Sequence, residues 1–175
     1  MDLKEYIRSI PDYPKKGILF RDITTLIKDE KAFEECINQI VEKSKNFKFN
    51  KIAAIESRGF VFASAVSYIL KKPFIMLRKK NKLPADVHSV DFELEYGTAT
   101  IEVHKDSINE NETVLIIDDL IATGGTAKAA AKLIEISKGN VAAFIFVINL
   151  FDLGGSDYLI SNNYKVENLI DFPGH

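Results

Sequence analysis

Residues 114–126 read Val-Leu-Ile-Ile-Asp-Asp-Leu-Ile-Ala-Thr-Gly-Gly-Thr, and this stretch decides the fold class. Its first four residues form a continuous apolar run, which is typical of a central parallel strand buried on both faces. Its last residues lead into the Ala-rich residues 126–137, which predict a helix. A buried strand that passes through a small-residue loop into a helix predicts an α/β unit, with a ligand site at the carboxyl end of the strand.

The rest of the chain alternates between the same two patterns. Helices are predicted over residues 3–10, 31–45 and 60–70, and strands over residues 52–55, 74–77, 98–104 and 141–150. Residues 78–97 are polar with no clear period, and residues 158–175 are short and mixed. This alternation predicts an α/β fold in one domain (residues 1–175), a mostly parallel twisted sheet flanked by helices.

Composition excludes several classes of protein. The 175 residues are 46% hydrophobic and carry a net charge of −2, so a broad basic surface for nucleic acid is not expected. No apolar run reaches the roughly 18 residues of a membrane span, and the N-terminus lacks the apolar core of a signal peptide, which predicts no membrane partner and a cytoplasmic location. The single cysteine, Cys36, rules out an internal disulfide and reads as a buried structural thiol.

The loop after the apolar run has the composition of a phosphate site. Backbone N–H groups of Thr123 to Thr126 can converge on one anion, and the following helix adds its positive end. A triphosphate site places a lysine beside its glycines, whereas here Asp118 and Asp119 precede the loop. Because carboxylates accept hydrogen bonds from sugar hydroxyls, the combination indicates a ribose 5-phosphate. The alternative is an ordinary helix start with two acidic turn residues.

Residues 114–126 resemble the signature of type I phosphoribosyltransferases, which bind phosphoribosyl pyrophosphate (PRPP). The resemblance implies the fold of that family and places Asp118 and Asp119 on the ribose hydroxyls, directly or through metal and water. It assigns the 5-phosphate to Ala122, Thr123, Gly124, Gly125 and Thr126. Since the leaving pyrophosphate is highly charged, Mg²⁺ is the expected cofactor, bound through the substrate rather than by a protein cage.

A second strand–turn–helix unit lies at residues 52–60, Ile-Ala-Ala-Ile-Glu-Ser-Arg-Gly-Phe. Arg58 follows the strand directly, where a guanidinium can bind two phosphate oxygens; the alternative is a surface ion pair with Glu56. The stretch resembles the pyrophosphate loop of adenine phosphoribosyltransferases. That resemblance implies that Ser57 and Arg58 hold pyrophosphate and that the Glu56–Ser57 peptide bond is cis.

The segment after the strand at residues 74–77 has the character of a charged lid. Residues 78–82 carry four cations, and we interpret Arg78, Lys79 and Lys82 as a rim that stabilises the pyrophosphate charge; a solvated surface run is the alternative. A long irregular stretch in a compact domain is usually a lid, so residues 78–97 are predicted to be a flexible lid loop.

The end of the predicted lid, residues 93–97, reads Glu-Leu-Glu-Tyr-Gly. It resembles the end of the lid in the adenine-specific members. The resemblance makes Glu95 the catalytic acid/base for the proton on the purine and makes Tyr96 a contact that closes the lid. The alternatives are a solvent-facing Glu95 and a competing base at His88.

Residues 17–24, Gly-Ile-Leu-Phe-Arg-Asp-Ile-Thr, resemble the N-terminal segment of the same enzymes. This implies a base-binding hood over about residues 1–30, in which Leu19 and Phe20 line the purine pocket. The backbone near Arg21 would read the edge of the base; simple core packing is the alternative. Tyr13 and Lys16 depart from the Phe and Pro that are common in that segment.

The residues after the last long strand depart further. Leu150 matches a family position that packs on the base, but Asn149 and Ser156 stand where a Glu and an Arg are frequent. The function implied is purine salvage: transfer of phosphoribosyl from PRPP to adenine, giving AMP and pyrophosphate, by a homodimer. Xanthine or hypoxanthine as the base stays open because of the two departures. A PRPP-sensing regulator is disfavoured, since no DNA-binding module or basic face is evident.

Overall fold

The structure is a computed structural model that describes residues 1–94 and 96–175. Its strands are β1 (Arg8–Pro11), β2 (Leu19–Asp22), β3 (Lys51–Ile55), β4 (Phe74–Lys79), β5 (Val87–Leu94), β6 (Gly97–His104), β7 (Thr113–Ile121), β8 (Asn140–Leu150) and β9 (Val166–Phe172). Its helices are α1 (Thr24–Ile27), α2 (Glu30–Ser44), α3 (Arg58–Leu70), α4 (Gly125–Ile136) and α5 (Gly155–Ser161), with 3₁₀ turns at Leu3–Tyr6 and Phe151–Leu153. None of the helices in this part of the chain is long and apolar enough to cross a membrane.

The main sheet has seven strands in the order β5-β6-β4-β3-β7-β8-β9. Five neighbouring strands pair in parallel, in the order β4-β3-β7-β8-β9. The other two, β5 and β6, form an antiparallel hairpin, and β6 pairs with the edge of β4. A separate antiparallel pair, β1 and β2, belongs to the N-terminal segment. The predicted α/β class with a mostly parallel sheet is therefore confirmed.

Helices cover both faces of the sheet because the central strands are apolar on both sides. Residues 114–117 of β7 are all buried, as the continuous apolar run predicts. On one face Ile40 of α2 and Phe62 of α3 pack in a core with Ile117. On the other face Leu133 of α4 packs in a second core with Ile116. The two cores fix the central strands and hence the loops at their carboxyl ends.

The N-terminal prediction of a helix over residues 3–10 is wrong beyond the first turn. A 3₁₀ turn, Leu3–Tyr6, is followed by β1, whose Arg8 pairs with Asp22 in register and through its guanidinium, 2.5 Å from the carboxylate. The short segment gains its hydrogen bonds from β2, and this tertiary pairing outweighs a weak local helix preference.

The prediction that residues 78–97 form an irregular loop is also wrong. β4 continues to Lys79, and β5 pairs with β6 from Val87 to Leu94. Val90 is buried and Phe92 half-buried on one side of β5, while Asp91 and Glu93 on the other side are exposed. This period of two is present in the sequence and is the signal of a half-buried strand.

Candidate active site

A cavity of about 380 Å³ opens at the carboxyl ends of β3 and β7. It is lined by residues 55–58, by Lys79 and by residues 118–127. These include both acidic residues, the whole predicted phosphate loop, and Ser57 and Arg58 of the second motif. The fold thus brings two separate sequence motifs onto one cavity, where a sheet of this type places its ligands.

The phosphate loop is shorter than the sequence suggests. β7 continues to Ile121, so Asp118 and Asp119 belong to the end of the strand rather than to the loop. α4 starts at Gly125, and its first residues, whose backbone N–H groups have no partner within the helix, line the cavity. Gly124 has φ +91°, a left-handed conformation that favours glycine. The loop therefore has the backbone geometry that an anion site requires.

The acidic pair is held by its own backbone and by its neighbours. The N–H of Asp119 donates to the Asp118 carboxylate at 2.9 Å. Burial, followed by the charge of Asp119, raises the pKa of Asp118 well above its ordinary value. A Cβ on Gly59 would lie 2.6 Å from the Asp118 carboxylate oxygen, so only glycine lets α3 begin this close to the acid.

Arg58 joins the two motifs. Its Nε lies 2.6 Å from Oδ2 of Asp119, whose side chain is only 9% exposed, while half of the Arg58 side chain remains exposed. The alternative pairing of Arg58 with Glu56 is wrong, because Arg58 reaches across the cavity to the other motif. Because half of this side chain is exposed, an anionic ligand can approach the guanidinium.

Glu56 has a different role that the sequence analysis missed. Its carboxylate accepts from the backbone N–H of Lys79 at 2.8 Å and pairs with Arg78 at 2.8 Å. The Lys79 hydrogen bond is the largest cause that lowers the pKa of Glu56, and the Arg78 contacts add to it. Glu56 therefore ties the loop after β3 to the end of β4. The predicted cis bond between Glu56 and Ser57 is confirmed.

The three predicted rim cations lie in different surroundings. Lys79 lines the cavity, Arg78 is held by Glu56, and Lys82 is exposed and lies outside the lining of the cavity. Arg78 and Lys79 are part of β4 rather than of a loop after it. The strand thus fixes the first two cations at the edge of the site.

The predicted base-binding residues lie beside this cavity rather than in its lining. The guanidinium carbon of Arg58 lies 5.6 Å from the ring centre of Phe20, and Tyr13 meets the same ring edge-on at 5.2 Å. Leu19 is half-buried next to it, and Leu150 ends β8 as a buried residue. β2 therefore brings the predicted hood against Arg58 at the edge of the site.

The side chain of Arg21 faces away from the cavity. It donates to Ser9 Oγ at 2.5 Å and to the carbonyl of Pro173 at 3.0 Å, and it stacks on the ring of Phe172 at 4.5 Å. These contacts bind the C-terminal segment to the hood. Since these contacts engage the Arg21 side chain, the predicted contact of Arg21 with the base would be made by its backbone.

Glu95 lies outside the described residues, but its neighbours on both sides are described. The carbonyl of Glu93 lies 3.9 Å from where a Cβ on Gly125 would stand, and the ring of Tyr96 lies 4.3 Å from Lys15 Nζ. Glu93 of β5 therefore lies near the phosphate loop, and Tyr96 lies near the N-terminal turn. His88 sits at the opposite end of β5, roughly 20 Å from Leu94 at 3.4 Å per residue, and it lies outside the lining of the cavity.

Comparisons with known proteins agree with this geometry. The model of a family described as phosphoribosyl transferase domain matches residues 23–168. Adenine phosphoribosyltransferase of Pelagibacter ubique is 81% identical over 175 residues, covering 100% of both chains. The crystal structure of adenine phosphoribosyltransferase from Thermoanaerobacter pseudethanolicus superposes with a TM-score of 0.94 at 46% identity, covering 98% of each chain. The Saccharomyces cerevisiae enzyme, solved with an imino-altritol bisphosphate and adenine, superposes with a TM-score of 0.89 at 34% identity, covering 97% of each chain.

Proposed function

The chain belongs to the phosphoribosyltransferase family, and we propose that it transfers the 5-phosphoribosyl group of PRPP to adenine, giving AMP and pyrophosphate in purine salvage. The observation that carries this proposal is the contact of Arg58 with Asp119 at 2.6 Å in a cavity that also contains the phosphate loop. The two carboxylates thus share one cavity with the phosphate loop and with Arg58, which supports a ribose that carries a phosphate at one end and a pyrophosphate at the other. The names of the full-length relatives supply adenine as the base.

We assign the parts of the substrate to the residues that their positions favour. The ribose hydroxyls fall to Asp118 and Asp119, and the 5-phosphate to Ala122, Thr123, Gly124, Gly125 and Thr126. Pyrophosphate falls to Ser57, Arg58, Arg78, Lys79 and Lys82, and the base to Leu19, Phe20, the backbone of Arg21, and Leu150. Residues 1–30 act as the hood and residues 78–97 as the lid, with the β5–β6 hairpin tip as its moving end.

The reaction is a substitution at the anomeric carbon of the ribose. The bond to the pyrophosphate oxygen breaks, an imidazole nitrogen of adenine forms the new bond, and the proton of the adenine imidazole passes to Glu95. Most of the rate enhancement comes from holding the two reactants in line. Arg58 exchanges Asp119 for pyrophosphate oxygens as PRPP enters, so that charge developing on the leaving group meets a cation already in place.

The residues of the site fit a magnesium ion that is carried by the substrate. Within residues 1–94 and 96–175 no group of three or more His, Cys, Asp or Glu side chains is arranged to hold a metal. Asp118 and Asp119 supply hard carboxylate oxygens of the type that Mg²⁺ prefers, directly or through water. The ion, when bound with PRPP, neutralises the charge of the pyrophosphate; the two carboxylates orient the ribose hydroxyls beside it.

Closure of the lid is supported by the contact of Lys15 with Tyr96. The ammonium lies 4.3 Å from the ring centre, within the range of an attractive cation–π contact. The turn that carries Lys15 is fixed, since Gly17 N–H donates to the Asp12 carboxylate at 2.7 Å and Tyr13 N–H to the carbonyl of Ile18 at 3.2 Å. A fixed cation over a ring at the hairpin tip stabilises the closed lid.

We expect Lys15→Ala to raise KM for adenine by about two- to fivefold, because an exposed cation–π contact contributes about 0.5–1 kcal/mol to the closed state. Steady-state kinetics with adenine as the varied substrate measure this. Lys16→Ala is the matched control, since Lys16 lies in the same turn and is exposed. Equal kinetics for the two variants would contradict a role of Lys15 in closure.

A homodimer is supported by an apolar surface on α3 and the adjacent strand β4. Val61, Tyr68, Ile69 and Met76 are exposed there, and Tyr68 is 86% exposed. Large apolar side chains grouped on one face are typical of a protein interface. We propose that α3 lies at the dimer interface, which sedimentation analysis of the protein and of Tyr68→Asp tests directly.

The cytoplasmic location stays a prediction.

The proposed function is tested by pyrophosphate release from PRPP and Mg²⁺ with adenine, hypoxanthine, guanine and xanthine in parallel. Release with adenine alone is the expected result, and it would show that Asn149 and Ser156 are compatible with adenine specificity. Release with another base but not with adenine would overturn the assignment of the base. Absence of release with all four, while PRPP binds, would identify a PRPP-binding regulator instead.

A further inference from the structure

A chain of hydrogen bonds links α5 to the carboxyl ends of β8 and β9. Asn168 Nδ2 donates to Ser156 Oγ at 3.0 Å, and Ser156 Oγ donates to Asn149 Oδ1 at 3.1 Å. Asn149 Nδ2 then donates to the carboxylate of Asp171 at 2.9 Å. All donors point one way and end on a charged acceptor, an arrangement in which successive hydrogen bonds strengthen each other. Ser156 is the link between the helix and the two strands.

The first turn of α5 is also the support of the phosphate loop. The N–H of Gly155 donates to the carbonyl of Ala122 at 3.0 Å, and a Cβ on Gly155 would lie 2.4 Å from that carbonyl oxygen. A Cβ on Gly124 would likewise lie 3.0 Å from the ring of Tyr158. The loop that begins at Ala122 therefore packs directly on the backbone and side chains of α5, without room for a larger residue at Gly155.

We propose that Ser156 is a positioning residue for PRPP: by fixing the first turn of α5 to β8 and β9, it holds Gly155 against Ala122 and so keeps the phosphate loop in its binding conformation. A helix of seven residues is not stable on its own, so its contacts decide where it lies. Ser156 directly follows Gly155 in the chain. Loss of the hydrogen bonds of the Ser156 hydroxyl therefore shifts the first turn of α5 and, with it, the N–H of Gly155. This inference rests on the proposed function, which makes the loop a 5-phosphate site.

The same geometry indicates that Ser156 does not read the base. Its hydroxyl donates its only proton to Asn149 and accepts from Asn168, so both directions of hydrogen bonding are used inside the protein. The position where an arginine is frequent in the family is thus occupied here by a neutral residue that acts on the loop behind the ribose phosphate. The effect of its removal is expected on PRPP and not on adenine.

The test compares Ser156→Ala with Ser161→Ala, a serine of the same helix whose hydroxyl bonds only the local carbonyl of Tyr158. We expect Ser156→Ala to raise KM for PRPP by about three- to tenfold, because the substitution removes one or two hydrogen bonds. The values of kcat and of KM for adenine should change by less than about twofold. Ser161→Ala should leave all three constants unchanged. Gly155→Ala displaces the Ala122 carbonyl directly and should give the same pattern with a larger rise.

A second readout separates this inference from the reaction. Binding of ribose 5-phosphate, measured by calorimetry, should weaken by a similar factor in Ser156→Ala, with circular dichroism unchanged from the parent protein. If the parent protein is inactive with adenine, the proposed function fails. The ratio of the ribose 5-phosphate affinities of the parent protein and Ser156→Ala still tests whether Ser156 holds the phosphate loop in place. A rise in KM for adenine alone, equal effects of Ser156→Ala and Ser161→Ala, or no effect of Gly155→Ala would each overturn the proposal.

Discussion

Replacing Asp118 and Asp119 together by asparagine is expected to lower kcat/KM for PRPP by about 100-fold or more, while the chain stays folded. A hydrogen bond to a charged group contributes about 1.5–3 kcal/mol, so two of them to the ribose hydroxyls account for at least about 3 kcal/mol of binding in the transition state. Each ~1.4 kcal/mol is a factor of ten in rate. The Asp119 change also removes the negative charge that Arg58 contacts at 2.6 Å, which weakens the hold on its guanidinium.

The fold should survive because the ionised form of Asp118 does not stabilise it. Burial and the charge of Asp119 raise the pKa of Asp118 in the folded chain above its unfolded value. The native state therefore binds this proton more tightly than the unfolded chain does, and stability from this group is lost as the pH rises. An asparagine at this position has no charge to bury, and its amide oxygen can still accept from the backbone N–H of residue 119.

Steady-state kinetics with PRPP as the varied substrate measure this effect, and circular dichroism verifies the fold. Asp157→Asn is the matched control, since Asp157 is an exposed acid on α5 outside the cavity. The control should keep the kcat/KM of the parent protein. An unchanged kcat/KM for PRPP in the double variant would show that the two acids do not bind the ribose.

The parts of this fold that the sequence predicts well are those with strong local patterns. The buried run of β7, the loop at Gly124 and the helix α4 follow from apolar continuity and glycine chemistry alone. The helix predicted over residues 31–45 is observed at Glu30–Ser44, where Asp29 caps it by accepting from two backbone N–H groups. The capping residue and the amphipathic pattern of a helix are both local features, separated by only a few residues. The sequence alone is therefore enough to predict such a helix.

The parts that the sequence did not predict depend on contacts between distant residues. The pairing of Arg58 with Asp119 joins residues 61 positions apart. Neither motif contains a sequence signal that predicts this pairing. The role of Glu56 likewise depends on β4 lying next to β3. β5 is different: its alternation is visible in the sequence, but the polar residues around it, and the resemblance to a lid, favoured a loop. The pairing of β5 with β6, which the sequence does not show, makes this stretch a strand.

The second large effect is expected at Glu95, the residue to which the family resemblance assigns proton transfer. Glu95→Ala should lower kcat by about 100-fold or more, the usual contribution of a positioned acid or base. The equilibrium dissociation constant for PRPP should change by less than about threefold. The described neighbours support this position, because the Glu93 carbonyl lies beside the phosphate loop and Tyr96 lies against Lys15.

Single-turnover AMP formation and equilibrium binding of PRPP, measured on the same preparation, separate the two kinds of loss. Glu93→Ala is the matched control: it removes an exposed acid two positions earlier in the sequence and leaves the Glu93 backbone carbonyl in place. A group that only transfers a proton interacts more strongly with the transition state than with bound PRPP, so its removal must appear in turnover rather than in binding. If Glu95→Ala weakens PRPP binding and leaves single-turnover AMP formation intact, Glu95 holds the lid closed instead, and the proton of adenine must leave by another route, such as solvent.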